Sequence, residues 1–163
     1  AYALTGRLTE AVPLLEDAVA CLSRSLHVGA LPMVYLGESY LLAGRSADAS
    51  VIVNRALELA VKRQERGYQA WALRQRGEIA AHAEPLDVDG AEAAYRNATT
   101  LAAELGMSPL RAQCHLGLGR CYRRAGRRAE ARAELSIAAD LLRAMDMSYW
   151  LPVCETELRA SGC

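Results

Sequence analysis

A short pattern recurs along this chain at a spacing of about forty residues, and a period in that range restricts the architecture to stacked copies of one supersecondary unit. Leu36-Gly37 with Tyr40 returns as Leu118-Gly119 with Tyr122, and Arg76-Gly77 with Ala80 stands between them as a weaker copy. A second signature follows each one, an Ala, a large apolar residue and a further Ala: Ala49-Val53-Ala56, Ala91-Tyr95-Ala98 and Ala131-Leu135-Ala138. Near the start of the chain only this second half is found, as Ala11-Leu15-Ala18.

Both signatures have helical spacing, and between them stand Gly6-Arg7, Gly44-Arg45 and Gly126-Arg127, each followed by an acid at Glu10, Asp48 or Glu130. A glycine just beyond an apolar periodic run stops a helix, because it enters the left-handed region at little steric cost. Each unit is therefore helix, tight turn, helix. The middle unit differs, with Pro85 and Asp89-Gly90 marking a longer turn. Helices are expected near 1–5, 9–22, 30–43, 47–64, 67–83, 90–105, 108–125, 128–145 and 149–160. They group as a partial repeat over 1–22, repeats over about 30–64, 67–105 and 108–145, and a capping helix, all in one domain over 1–163. Since the chain opens at Ala1-Tyr2, inside a repeat's first helix, it is expected to be a piece of a larger protein.

The small residues have a packing role. Gly37, Gly77 and Gly119 and the paired alanines let two helices approach closely, and Val53, Tyr95 and Leu135 fill the gaps. Apolar residues make up 52% of the chain while aromatics reach only 6% and Phe is absent, a balance that suits close helix packing in an all-α fold.

Leu-Gly-x-x-Tyr followed by Ala-x-x-x-(large)-x-x-Ala resembles the tetratricopeptide repeat. The resemblance implies an α-solenoid of antiparallel hairpins wound as a right-handed superhelix and closed by a C-terminal cap. Over about residues 88–160 the runs Ala91-Glu92-Ala93-Ala94-Tyr95, Ala102-Ala103-Glu104-Leu105-Gly106-Met107, Cys114-His115-Leu116-Gly117-Leu118-Gly119 and Met145-Asp146-Met147-Ser148-Tyr149-Trp150-Leu151 look like the C-terminal repeats of bacterial signalling proteins. In those proteins a class III nucleotidyl cyclase domain and an AAA-type ATPase precede the repeats. That likeness implies a regulatory, partner-binding arm without catalysis of its own.

Nineteen basic and nineteen acidic residues leave no net charge, so no global field draws in nucleic acid or an anionic membrane. No apolar stretch approaches spanning length and no signal-peptide order opens the chain, so a cytoplasmic location is expected. Five cysteines at irregular spacing, Cys21, Cys114, Cys121, Cys154 and Cys163, read as reduced thiols rather than a disulfide framework. No cofactor or metal is expected. Gly117-Leu118-Gly119 lies within a helix and reads as close packing rather than a phosphate loop. His27, His82 and His115 lack zinc-motif neighbours, and His115 reads as a packed core histidine. No nucleophile, base and oxyanion donor fall together, so an enzyme is not expected.

In a stack of this kind the first helices line the concave surface. The register places Tyr35, Glu38, Trp71, Arg74, Gln75, Glu78, His82, Gln113, Arg120, Arg123 and Arg124 there as candidate contacts for a protein or peptide partner. Trp71 with flanking Arg and Gln has hot-spot composition, and reads equally as an inter-repeat core residue. Glu38 and Glu78 read either as groove residues for a basic group or as solvated charges. Arg120, Arg123, Arg124, Arg127, Arg128 and Arg132 either clasp an acidic peptide or phosphate or form a solvated turn balanced by Glu130 and Glu134. The leading expectation is a protein-interaction scaffold. A small-molecule or nucleotide sensor and a self-association module are the alternatives, and a closed pocket lined by Trp71 and several arginines would favour the sensor.

Overall fold

The computed structural model describes residues 8–22 and 30–161. Among them every regular element is an α-helix: α1 (Leu8–Leu22), α2 (Leu31–Leu42), α3 (Ser46–Lys62), α4 (Arg66–Ala81), α5 (Val88–Glu104), α6 (Ser108–Arg124), α7 (Arg128–Ala144) and α8 (Trp150–Ala160). These bounds fall within two residues of those read from periodicity. The expected helix over 1–5, Gly6-Arg7, His27 and Cys163 lie outside the described residues. Each helix packs on its successor, and α4 also touches α2 and α6.

The turns follow one design. The N–H donated back across the helix end runs from Arg45 to the Tyr40 carbonyl (2.8 Å), Glu65 to Ala60 (2.8 Å), Met107 to Ala102 (2.8 Å), Arg127 to Tyr122 (2.9 Å) and Met147 to Leu142 (3.0 Å). Each is the six-to-one bond of a Schellman turn, and the residue before each donor has positive φ. At Gly44, Gly106 and Gly126 that residue is glycine, whereas Gln64 (φ 57°) and Asp146 (φ 52°) take the same conformation with a side chain, at a cost of about 1–2 kcal/mol each. The α4–α5 connection departs from the pattern, and there Asp87 caps α5 by accepting the Gly90 N–H at 2.9 Å.

The Gly-Arg-x-x-acid motif locks the turn within two units. Arg45 lies over the Tyr40 ring, 4.2 Å from its centroid, and Arg127 lies over Tyr122 at the same distance. Arg45 also pairs with Asp48 (2.7 Å) and Glu16 (3.2 Å), and Arg127 with Glu130 and with Glu92 (3.3 Å). Arg127 is thereby a structural residue of the turn.

Gly37, Gly77 and Gly119 each face the large residue of the second helix in their own unit. A Cβ on Gly37 would stand 2.3 Å from Val53 Cγ2, one on Gly119 2.6 Å from Leu135 Cγ, and one on Gly77 2.8 Å from Tyr95 Cδ1. Val53, Tyr95 and Leu135 are fully buried, as are the alanines at 49, 56, 91, 98, 131 and 138. Burying a side chain the size of Leu135 contributes roughly 1.5–3 kcal/mol, so the close approach offsets the low helix propensity of glycine. The core runs as three clusters, one over α1–α4, one centred on α4–α6 and one over α6–α8. Trp71 packs against the first two, joining successive hairpins. The last cluster takes Cys154, Trp150, Leu151 and Leu158 from α8, which packs on α7.

Candidate functional site: an arginine-lined cavity between α4, α6 and α8

Helical spacing brings the site together. Glu78 and His82 stand one turn apart at the end of α4, and Arg120, Arg123 and Arg124 share one face of the last turns of α6. These five expected partner contacts, with Glu157 of α8, line a single cavity of about 240 Å³. Its floor is the Tyr95 ring, which α5 inserts between α4 and α6.

The charges in the cavity are unevenly matched. Glu78 is already paired with Arg74 of its own helix at 3.1 Å, both largely buried. Glu157 bridges two arginines, one carboxylate oxygen 2.9 Å from Arg120 Nε and the other 3.0 Å from an Arg123 terminal nitrogen. Arg124 donates to the Ala81 main-chain carbonyl, and among the described residues it has no carboxylate within ion-pair distance. Two of the three guanidinium groups thus share one carboxylate, and the third faces a main-chain carbonyl. His82 anchors its Nδ1 on the Glu78 carbonyl at 2.8 Å, which fixes the ring at the α4 end of the cavity.

Tyr95 is fully buried, and its hydroxyl makes no hydrogen bond of good geometry, with the Glu78 carboxylate beside it. Burial pushes its phenol well above the ordinary range, and the charge of nearby Glu78 adds to the shift. Gly117 makes room for this hydroxyl, since a Cβ there would stand 2.5 Å from the oxygen. An unpaired buried hydroxyl costs about 1–3 kcal/mol, and Glu78 is the polar group placed to offset part of that cost.

The other expected contacts do not join this cavity. Tyr35 is exposed (46%) and Glu38 half-buried on α2. Gln113 is half-buried on α6. Gln75 corrects the register reading: it is 1% exposed, with its amide nitrogen unpartnered, so it belongs to the interior rather than to an accessible face. Trp71 is half-buried between two core clusters, with the Arg74 guanidinium 6.0 Å from its ring centroid. The pairing of Trp71 with several arginines in one pocket is absent from the cavity, which holds the arginines alone.

The basic run divides. Arg120, Arg123 and Arg124 line the cavity, with Arg123 and Arg124 also exposed, Arg127 locks the turn, and Arg128 and Arg132 are exposed on α7. Glu130 balances Arg127, but Glu134 does not serve the turn. It is buried (9% exposed) and holds His115 Nδ1 at 2.6 Å, with an Arg96 terminal nitrogen at 3.8 Å. The sequence offered a signal for this pair. His115 stands where the other units have Met33 and Leu73, and Glu134 where they have Ile52 and Ala94, so two facing apolar positions became polar together.

The thiols are free, with Cys114, Cys121 and Cys154 buried and Cys21 exposed. Burial raises Cys114 and Cys154 to about 11, well away from the reactive thiolate range. Among the described residues no group of three or more His, Cys, Asp or Glu is placed to hold a metal ion, and no helix is long and apolar enough to cross a membrane. The chain matches no protein-family model and no curated protein.

Proposed function

We propose that the chain is a tetratricopeptide-like solenoid that binds an acidic segment of a protein partner on the face formed by its first helices, as a regulatory arm of a bacterial signalling protein. The observation that carries this reading is the gathering of Arg120, Arg123 and Arg124 with only Glu157 to balance them. Contacts of α4 with both α2 and α6, and Schellman turns at both kinds of connection, support a regular stack of hairpins whose first helices adjoin. Guanidinium forks bind carboxylates and phosphates with directed, charge-assisted hydrogen bonds, and arginine is enriched among residues that dominate interface energetics. A cavity of about 240 Å³ is smaller than an ordinary small-molecule site, so it suits one side chain of a longer ligand.

Selection from a random peptide display library against the immobilised chain tests this. Acidic peptides should be enriched, and Arg120→Gln or Arg124→Gln should weaken them about tenfold, while Arg127→Gln leaves affinity within about twofold. Selected peptides with no acidic bias, or indifferent to both cavity substitutions, would refute the reading.

A further inference from the structure

Resting on that reading, the geometry points to a phosphomonoester dianion as the group that enters the cavity: Arg120, Arg123 and Arg124 engage its oxygens, and the Tyr95 hydroxyl donates to it from the floor. The charge count sets the valence. Glu78 is neutralised by Arg74, and three guanidinium groups remain against the single carboxylate of Glu157, an excess of two positive charges. A carboxylate brings one negative charge and leaves half of this excess uncompensated. A phosphomonoester brings nearly two at neutral pH, with three strong acceptor oxygens.

The donors are matched in number and kind. Arg120 uses Nε on Glu157 and Arg123 a terminal nitrogen, so Glu157 orients both guanidinium groups while leaving further N–H groups on each. Arg124 is held by the Ala81 carbonyl, a contact that positions a cation without neutralising it. The Tyr95 hydroxyl is fully buried beside Glu78 without a hydrogen bond of good geometry, and its place in the cavity wall gives the site a neutral donor at depth. Gly117 keeps that donor in place, because any side chain there would meet the hydroxyl. The volume exceeds that of a phosphate group alone and accommodates the atoms that carry it.

The phosphoryl group can arrive on a protein side chain or on a small metabolite, and the test separates these sources. Three peptides built on one selected acidic sequence, carrying phosphoserine, Glu or Ser at the same central position, are titrated calorimetrically into the 163-residue chain, alongside phenyl phosphate and benzoate. The phosphoserine peptide should bind about tenfold tighter than its Glu counterpart, and phenyl phosphate about tenfold tighter than benzoate. Phenyl phosphate matching the phosphopeptide identifies a small phosphorylated molecule as the source, and a phosphopeptide advantage identifies a protein. Tyr95→Phe should weaken phosphate binding several-fold while changing the melting temperature little, since the hydroxyl makes no well-formed hydrogen bond in the free chain. Arg124→Gln should weaken it about tenfold. Equal affinity for the phosphoserine and Glu peptides, both still lost in Arg120→Gln, overturns the phosphate inference and leaves the acidic-segment reading standing. Phosphate affinity unchanged by both Tyr95→Phe and Arg124→Gln overturns the site itself, and failure of every peptide to bind overturns both readings.

Discussion

Replacing Gly77 by Ala tests whether close helix approach, rather than sequence periodicity alone, organises this stack. The new Cβ would stand 2.8 Å from Tyr95 Cδ1 and 2.9 Å from Cε1 and Cγ, inside the 3.5–4.0 Å of favourable carbon contacts by about 0.7 Å. The ring cannot simply retreat. On its other side it lies against Gly117, where a Cβ would be 2.5–2.7 Å from Tyr95 Oη, Cζ and Cε1, so α4 and α6 hold it between them. Overpacking of this kind costs roughly 1–3 kcal/mol, offset in part by about 1 kcal/mol of better helix propensity for Ala over Gly.

Gly67 supplies the control, because it lies in the same helix and an added Cβ there meets nothing within 4 Å. Gly67→Ala therefore shows the propensity gain without the clash, a stabilisation of up to about 1 kcal/mol. The difference between the two variants isolates the packing term. At roughly 2–4 °C per kcal/mol for a chain of this size, Gly77→Ala should melt about 2–12 °C below Gly67→Ala, and urea midpoints should rank the same way. A Gly77→Ala protein as stable as Gly67→Ala would refute the argument, whereas partial recovery in Gly77→Ala/Tyr95→Leu would confirm which contact is at fault.

The buried thiols should resist modification: with Cys114 and Cys154 raised to about 11, about one in a thousand is thiolate at pH 8. Mass spectrometry after iodoacetamide treatment should find both unmodified until denaturant is added, and rapid native labelling would contradict their burial. Trp71→Ala should cost roughly 3 kcal/mol or more, because the indole packs on two core clusters; an unchanged melting temperature would return Trp71 to the surface. Glu134→Ala alone should destabilise by about 1–3 kcal/mol, leaving His115 without its hydrogen-bond partner. Restoring both positions to the apolar residues of the preceding unit, His115→Leu with Glu134→Ala, should recover most of that loss in thermal melts, and a double variant worse than the single would show that the pair has no such coupling.

What was legible in the sequence is the part governed by local rules. Glycine after an apolar run gave the turns at Gly44 and Gly126, and helical spacing gave the helix bounds. Gln64 and Asp146 adopt the same left-handed conformation but lack the residue type that announces it, so the kinship of all five turns emerges only from the backbone. The site was partly legible for the same reason. Register along one helix places Arg120, Arg123 and Arg124 on one face, whereas the partners that define the cavity, Glu157 from α8 and the Tyr95 hydroxyl from α5, come from other units. The two-helix register misplaces Gln75 because α4 packs against α2, α3, α5 and α6 together, which leaves less of it exposed than one hairpin partner would.

Repetition builds the scaffold, and departures from repetition build the site. Counting from the glycine of each first helix, the same three positions hold Glu38, Leu41 and Leu42 in one unit, Glu78, Ala81 and His82 in the next, and Arg120, Arg123 and Arg124 in the third. The packing positions beside them scarcely change, with a Gly facing Val53, Tyr95 or Leu135 each time. The first helix of the last unit therefore keeps the geometry of its predecessors while reversing their charge, and because α4 and α6 touch, Glu78 and Arg120 meet around one cavity. The same unit also carries the His115–Glu134 pair, so its helices depart from the repeat on two faces at once, and the most altered unit is the one on which binding experiments should concentrate.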